Sequence, residues 1–488
     1  MTISAQTSKS VAVARNKWLA LAVLLVGAFM ALLDTTIVNV AIPTIRTSLD
    51  ASNATLSWIV SGYALAFGLA LIPAGRVGDR LGHRWVFIAG LALFTVASLA
   101  CGLARDDVQL IAARALQGLA GGIFFTTITA LIQLMFAPRQ RGRAFAILGA
   151  TIGFSTALGP LAGGLIIAAF GAQSGWRLIF GVNIPIGILA VAAAAVLLPG
   201  GVETTDSGAD WLGLVLLTTG LVALLTPLIE GQQEGWPWWT YASMACGVAL
   251  IALFGLCERR LEKAGGNPLV PPRLFRHPSF TGGVVLALVY FAAFTSIFFT
   301  IALLWQAGLG HTALQSGLVA MPFAIGSILG ASQSDTLAAR FGRTVLTVGL
   351  GMVAVGITAV WLILALCPPT QYNGWQLLAP LLVAGIGSGL FIAPNAAFIV
   401  ATVERGDAGA ASGVVGTMQR IGSAIGIAVI GTVLFGTLRV VRGPDALALA
   451  FGHSATLAMG VSAVLSVAAF GLGFALPRAV DPSRLDDV

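Results

Sequence analysis

The sequence predicts an all-α integral membrane protein, and three features of its composition support this prediction. Charged residues make up 9% of the 488 residues, whereas hydrophobic residues make up 57%. Soluble globular domains carry about 25% charged residues, so this composition excludes a water-solvated globule. The mean hydropathy of +0.94 agrees with that exclusion. The 60 glycines are typical of helices that pack closely in lipid.

The predicted helices are fourteen apolar stretches, each of which is long enough to cross a bilayer. A crossing takes about 20 residues. The stretches lie at about 18–41, 54–75, 85–104, 109–136, 143–170, 177–199, 211–229, 238–257, 280–306, 313–334, 344–367, 375–400, 409–436 and 452–476. The first stretch follows a basic start but is too long for a signal-peptide core and contains an aspartate. We therefore predict that it is a retained helix.

The distribution of Lys and Arg among the loops predicts the orientation. If the chain begins in the cytoplasm, most basic residues lie in cytoplasmic loops. The loop at 200–210 departs from this pattern, because it is acidic and has no Lys or Arg, but acidic residues count little in the rule. We predict a bacterial cytoplasmic membrane protein with both ends in the cytoplasm. The net charge of +7 arises from these loops, so no nucleic-acid partner is expected.

The spans divide into two groups of six with a pair between them. The predicted parts are a cytoplasmic N-terminus (1–17), a six-helix bundle (18–199), an inserted pair (211–229 and 238–257) with its linker inside 200–279, a second six-helix bundle (280–476) and a cytoplasmic C-terminus (477–488). A weak internal repeat supports the division, because Arg80 and Gly82 recur as Arg340 and Gly342. Two related bundles indicate a transporter with its ligand cavity between them.

Five segments in the first half, taken in order, resemble the major facilitator superfamily. They are LDTTIVNVAIPTI (33–45), GRVGDRLGHR (75–84), ARALQGLAGG (113–122), GATIGFSTALGPLAGG (149–164) and GWRLIFGVNIPIG (175–187). Together they resemble the fourteen-span drug:proton antiporter branch of that superfamily. The resemblance implies the major facilitator fold with two additional helices, and it implies multidrug efflux that confers antibiotic resistance.

Asp34 is the first candidate for proton coupling because it lies well inside the first span. An ionised carboxylate is costly there, so the group can exchange a proton near physiological pH. The resemblance implies that this position accepts the proton or cation. The alternative is a carboxylate that only hydrogen-bonds its neighbours Thr35, Thr36 or Asn39.

Arg114 and Glu230 are the other candidates for coupling. Arg114 lies inside the fourth span and cannot lose its charge, so it must face water or meet a carboxylate, and near Asp34 it would favour proton release. The alternative is an arginine that extends to the membrane surface. Glu230 ends the seventh span beside a tryptophan-rich loop, where a solvated acid at the rim is the more common arrangement.

The candidate substrate-cavity residues come from both bundles. Arg420 is a second cation inside a span, and it either lines the cavity or braces its neighbours. Phe294 and Phe298 belong to an aromatic run in the ninth span that could form an adaptable pocket, although lipid-facing or core positions explain such residues better. Asn39 and Gln117 complete this set, and Gln117 would extend the Arg114 network or simply pack.

The loop after the second span is a candidate conformational latch. Its glycines permit tight turns, and Asp79 can accept hydrogen bonds from a helix N-terminus or from Arg80 and Arg84. The alternative is a basic loop that serves only topology. The latch residues are Gly75, Asp79, Arg80, Gly82 and Arg84.

The fifth span has glycines at nearly four-residue spacing, which permits close helix contact, and a proline that removes a backbone donor. The residues are Gly149, Gly153, Gly159, Pro160, Gly163 and Gly164. Their description as an antiporter motif comes from the resemblance alone. Asn183 lies two residues before Pro185 in the sixth span, and this pattern predicts a structural role for it.

The sequence argues against an enzyme and against an ATP-driven pump. It has no P-loop, no HExxH and no CxxC, so we expect no cofactor and no metal site. The prediction is a monomeric, proton-coupled antiporter that exports amphipathic drugs or antibiotics, cationic or neutral, by alternating access. The alternative is an exporter or importer of one defined metabolite on the same fold.

Overall fold

The computed structural model of the chain contains fourteen α-helices among the described residues, which are 3–51, 53–199, 210–231, 234–400, 403, 407–439 and 445–475. In order the helices are α1 (Ile3–Leu49), α2 (Asn53–Leu81), α3 (His83–Leu103), α4 (Asp107–Met135), α5 (Pro138–Gly181), α6 (Asn183–Leu197), α7 (Trp211–Glu230), α8 (Trp238–Lys263), α9 (Pro278–Leu303), α10 (Ala313–Phe341), α11 (Thr344–Leu366), α12 (Gly374–Val400), α13 (Ala408–Thr437) and α14 (Ala446–Gly473). We call the side at which α1 begins and α2 ends the N-terminal face, and the other side the far face.

Thirteen spans in the described part are long and apolar enough to cross a membrane. The first part of α5 is not among them, because its Gly, Ser and Thr residues make it less apolar. The chain breaks at Gly171, where a φ of 77° requires glycine, and Ser174–Leu197 forms the next span. The described ranges thus contain fourteen α-helices, the number that the sequence predicts, and thirteen candidate membrane spans.

The N-terminal bundle contains α1 to α6 around an aromatic core. α4 packs on α2 and α3, while α1 packs on α5 and α6. Phe124 meets Phe87 and Phe94 edge to face, with ring centroids 5.8 and 5.5 Å apart. Gly122 lets α2 and α4 approach, because an added Cβ would lie 2.8 Å from the Cβ of Ala70.

The C-terminal bundle contains α9 to α14 and repeats this arrangement. α12 packs on α10 and α11, while α9 packs on α13 and α14. Glycines again set the close contacts: a Cβ added at Gly330 would lie 2.9 Å from the carbonyl carbon of Ile386. Two bundles of six helices are thus built on the same pairing scheme.

The two bundles meet along α5 with α10 and along α2 with α13. A Cβ added at Gly153 would lie 2.8 Å from Ser327 Oγ, and one added at Gly75 would lie 2.7 Å from the carbonyl carbon of Gly409. We call the α2 and α13 contact the seam. The contact at Gly75 and Gly409 closes the seam at the N-terminal face.

The inserted pair consists of α7 and α8, which pack against each other and, through α7, against the seam. Leu225 of α7 lies beside Gly68 of α2, since a Cβ added at Gly68 would be 3.6 Å from it. Leu225 also shares an apolar cluster with Ile72 of α2 and Ile421 of α13. The inserted pair therefore covers the outer side of the seam with apolar surface.

Candidate functional site

Asp34 lies at the centre of a buried polar network in the N-terminal bundle. Its side chain is fully buried. Arg114 Nη1 donates to Oδ2 at 2.5 Å, while Gln117 Nε2 and Asn183 Nδ2 donate to Oδ1 at 2.9 and 3.1 Å. One carboxylate thus accepts hydrogen bonds from three side chains, and one of them, Arg114, supplies a full counter-charge. Such complete pairing is what allows a charge to remain inside a bilayer.

Further contacts fix the donors around Asp34. Ser98 Oγ accepts from Gln117 Nε2 at 2.6 Å and from Asn183 Nδ2 at 3.2 Å. Arg114 Nε donates to the Ile59 carbonyl at 3.1 Å, and Arg114 Nη1 donates to Gln117 Oε1 at 2.7 Å. Arg114 therefore lies beside Asp34 inside the bundle and does not extend to the membrane surface.

The helix geometry explains why these groups converge. Arg114 and Gln117 are three residues apart on α4 and share one face of it. A Cβ at Gly118 would overlap the Tyr63 carbonyl oxygen, so the glycine lets α2 lie directly on α4. The Tyr63 ring then covers the Arg114 guanidinium at 4.1 Å, an attractive cation–π contact.

Asn183, Ser98 and Tyr63 are site residues that sequence reasoning missed. Asn183 gave a signal, because an amide inside an apolar run needs a buried partner, but we predicted only a structural role for it. Ser98 and Tyr63 gave none, since small hydroxyls and tyrosines are common in such helices. The side chain of Asn39 lies outside the described part of the structure.

Glu230 lies close to this network but on the other side of α2. Ile59 and Tyr63 of α2 contact Arg114, whereas Ser61, on the opposite face of the same turn, hydrogen-bonds the Glu230 carboxyl group. Glu230 lies beyond the apolar span of α7. Burial, and then the nearby Glu234, raise the pKa of Glu230 above its usual value.

Arg420 projects from α13 across the seam. Its guanidinium lies 4.0 Å from the ring centroid of Phe67 on α2. Within the described ranges, no carboxylate lies within ion-pair distance of it. Arg420 therefore differs from Arg114, whose charge is balanced.

Phe294 and Phe298 pack into the C-terminal bundle. Their ring centroids are 5.2 Å apart, and both contact Phe323 of α10, at 5.6 and 5.1 Å. Phe294 also stacks on Tyr290 at 5.7 Å. The two side chains belong to a continuous aromatic cluster between α9 and α10.

Asp79 joins the two bundles at the N-terminal face. Its Oδ1 accepts the Gly409 backbone N–H at 3.0 Å, so it caps the N-terminus of α13, where a negative charge is favoured. His83 Nε2 lies 3.0 Å from the same oxygen, and Arg76 Nη1 lies 3.7 Å from the other. The sequence motif thus places a carboxylate from one bundle on a helix end of the other.

The remaining motif residues act within the N-terminal bundle. Gly82, with a φ of 90°, makes the turn between α2 and α3. Arg84 Nη2 donates to the Ala195 carbonyl at 2.6 Å and ties α3 to α6. Arg80 is exposed. The inter-bundle contact is therefore carried by Gly75 and Asp79.

The linker after α8 joins the same contact. Arg273 Nη2 donates to Asp407 Oδ2 at 2.6 Å, and Arg76 Nη1 lies 3.8 Å from Asp407 Oδ1. Arg76 Nη2 also donates to the Pro268 carbonyl. Burial raises the pKa of Asp407, and the two arginines oppose that rise. No local sequence pattern pointed to Asp407 or Arg273.

The glycines of α5 contact both bundles. A Cβ at Gly159 would lie 2.8 Å from Thr36 Cβ, and one at Gly163 would lie 3.0 Å from the Ile37 carbonyl oxygen, both on α1. Those helix positions directly follow Asp34. Pro160 has a side chain outside the described part.

The other three motif glycines face the C-terminal bundle. Gly153 meets Ser327 of α10, Gly149 lies 3.4 Å from Ala393 of α12, and Gly164 lies 3.8 Å from Leu314 of α10, each measured from an added Cβ. α5 is therefore in close contact with the Asp34 helix on one side and with the opposite bundle on the other.

The described residues contain no group of three His, Cys, Asp or Glu that could hold a metal ion. The family model described as Major Facilitator Superfamily matches residues 24–427. A probable actinorhodin transporter of Streptomyces coelicolor is 36% identical over 427 residues, which cover 87% of this chain and 73% of the relative. The methylenomycin A resistance protein of the same organism is 36% identical over 420 residues, 84% of each chain.

The fold also matches solved structures. The human organic anion transporter MFSD10 superposes with a TM-score of 0.64 at 15% identity, covering 93% of this chain and 98% of that chain. At this identity the likeness concerns the fold alone. With two six-helix bundles, an inserted pair and a family match over most of its length, the chain belongs to the major facilitator superfamily of transporters.

Proposed function

We propose that the protein is a proton-driven antiporter that exports amphipathic drugs or antibiotics by alternating access, with Asp34 as the proton carrier. It acts as a monomer in a bacterial cytoplasmic membrane. The N-terminal face is cytoplasmic, so both ends of the chain lie in the cytoplasm. The relatives named for actinorhodin transport and methylenomycin A resistance support a small-molecule antibiotic as cargo.

The observation that carries the proposal is the pairing of a fully buried Asp34 with Arg114 at 2.5 Å. The charged carboxylate balances the positive charge of Arg114. Protonation removes that balance and leaves an uncompensated guanidinium in a low-dielectric interior, which is costly. The bundle can relieve this cost by changing the arrangement of α1 and α4. Proton binding and conformation are then linked by differential free energy, as alternating access requires.

The α5 glycines provide a route from Asp34 to the other bundle. Thr36 and Ile37 follow Asp34 on α1 and touch Gly159 and Gly163. A shift of α1 therefore reaches α5, which in turn contacts α10 and α12. Release of Asp79 from the N-terminus of α13 would then open the cytoplasmic side.

The driving force is adequate for export. One proton that moves inward through 100 mV supplies about 2.3 kcal/mol before any pH gradient is added. Since about 1.4 kcal/mol corresponds to a tenfold ratio, this supports roughly 50-fold accumulation against a gradient.

The test is proton-dependent transport of a fluorescent lipophilic drug in inverted membrane vesicles. Asp34→Asn should abolish transport, and a protonophore should abolish it in the wild type. Asp50→Asn is the matched control, because Asp50 follows the same helix at the far face, where its φ of 50° is also accessible to asparagine.

Normal transport by Asp34→Asn would refute Asp34 as the carrier and make Glu230 the next coupling candidate, to be tested as Glu230→Gln. If none of a panel of drugs is moved, transport of one defined metabolite replaces drug export as the function.

A further inference from the structure

Arg420 is a cation without a counter-charge at the junction of the two bundles. Arg114, the other arginine deep within a span, is neutralised by Asp34. Arg420 instead contacts the face of Phe67, and in the described ranges no carboxylate pairs with it. An aromatic ring compensates a buried charge less completely than a carboxylate does. No anion in the described ranges therefore balances the Arg420 charge.

The depth of Arg420 keeps it from reaching the membrane surface. It lies twelve residues after Ala408, where α13 begins. At 1.5 Å per residue this is about 18 Å along the helix, close to the middle of a hydrocarbon core of about 30 Å. A guanidinium at this depth is too far from either headgroup layer to be solvated there.

The direction of the Arg420 side chain places the charge between the bundles. The side chain extends over Phe67, whose ring also packs near Tyr63 at 5.9 Å. On the outer side, Leu225 and Ile421 belong to the apolar cluster that covers the seam. The charge thus lies against the aromatic core of the N-terminal bundle, and Leu225 of α7 lies near the base of the Arg420 side chain, beside Gly68.

The acids of nearby elements are all engaged elsewhere. Asp34 is paired with Arg114, and Tyr63 donates its hydroxyl to the Ala31 carbonyl. Glu230 hydrogen-bonds Ser61 on α2 near the far face. Because Asp34 and Arg114 neutralise each other, Arg420 gives this region a net positive charge.

We propose that Arg420 binds an acidic group of the transported compound, so the cargo is an amphipathic organic anion. The inference rests on the proposed export function and names its substrate class. The planar guanidinium is charged at every physiological pH and can hold a carboxylate through two parallel hydrogen bonds. Acidic cargo replaces the cationic or neutral cargo expected from the sequence.

Anionic cargo also agrees with the direction of transport. The cytoplasm of an energised cell is electrically negative, so an anion that leaves moves down the membrane potential. Export of a monoanion in exchange for one proton would move two charges in the favourable direction. Export of a monocation in exchange for one proton would instead move no net charge, so the membrane potential would not drive it.

The experiment measures binding to the purified full-length protein in lipid nanodiscs. The three probes are 7-diethylaminocoumarin-3-carboxylate, its neutral methyl ester and its cationic aminoethyl amide, which share one fluorescent body. A charge-assisted hydrogen bond predicts that the acid binds at least about tenfold more tightly than the ester or the amide. Empty nanodiscs correct for partitioning into lipid.

Two variants test whether Arg420 causes the tighter binding of the acid. Arg420→Gln should remove the advantage of the acid and leave the affinity of the ester unchanged, while Arg420→Lys should keep part of it. Arg439→Gln is the matched control and should leave all affinities unchanged, because Arg439 is exposed two residues beyond the far end of α13.

Several results would overturn the proposal. They are equal or tighter binding of the ester or the amide by the wild type, an acid preference that persists in Arg420→Gln, equal weakening of all three probes in that variant, or no binding of the acid. Asp34-dependent drug efflux is measured separately, so loss of the anion inference and loss of the export function are distinguishable.

Discussion

Replacement of Gly409 by alanine should open the N-terminal face of the transporter, because the seam has no room for a methyl group there. The added Cβ would overlap the Gly75 carbonyl oxygen and lie 2.5 Å from Asp79 Oδ1. The first is backbone and the second is the carboxylate that caps α13. Neither can move away while the seam stays closed, so the two bundles must separate at this face.

The size of the effect follows from the overlap. A methyl group forced into a close-packed contact costs about 1–3 kcal/mol. Since the open state lacks this contact, the whole cost falls on the closed state. The ratio of closed to open molecules should therefore fall by about 5–150-fold.

Pulsed electron paramagnetic resonance between labels in the two bundles would measure this ratio. Leu81 at the end of α2 and Phe341 at the end of α10 are both exposed at the N-terminal face and accept spin labels. Gly409→Ala should move the distance distribution towards longer values. Gly436→Ala is the matched control on α13, since an added Cβ there meets nothing within 4 Å. An unchanged distribution in Gly409→Ala, or the same shift in Gly436→Ala, would refute the reasoning.

Two further predictions concern stability, measured by thermal unfolding in detergent. Glu258 is buried, and its Oε2 accepts the Val270 N–H at 2.8 Å. Glu258→Gln keeps an acceptor oxygen and should unfold near the wild-type temperature, whereas Glu258→Ala should lose about 1–3 kcal/mol by leaving that N–H unpaired; equal loss in both variants would contradict this role of the oxygen. Gly187→Ala should cost about 1–3 kcal/mol, because its Cβ would overlap Thr95 Oγ1 between α3 and α6, and wild-type stability would contradict that contact.

The sequence was sufficient to predict the number of helices and the position of Asp34 and Arg114 within them. Those predictions depend on hydropathy along one segment at a time. The hydrogen bonds from Gln117 and Asn183 to Asp34 depend on which helices are neighbours, which no single segment contains. Asn183 was therefore recognisable as a buried amide but not as a partner of Asp34.

The contacts of Asp79 show the same limit of prediction from single segments. The motif predicted that Asp79 would accept hydrogen bonds from a helix N-terminus or from Arg80 and Arg84. In the structure Asp79 contacts the N-terminus of α13, His83 and Arg76. The ion pair between Arg273 and Asp407 joins residues 134 positions apart, so local charge patterning could not reveal it. Helix ends that meet across a bundle interface are properties of the tertiary fold.

The linker that follows the inserted pair belongs mechanically to both halves of the transporter. The Pro268 carbonyl of the linker accepts a hydrogen bond from Arg76 of the N-terminal bundle. Arg273 of the linker donates to Asp407, at the start of α13 in the C-terminal bundle. The linker thus bridges the contact that must widen when the N-terminal face opens. A shortened, twelve-helix version of the chain would lose this bridge, and its conformational equilibrium would move towards the form that is open at the N-terminal face.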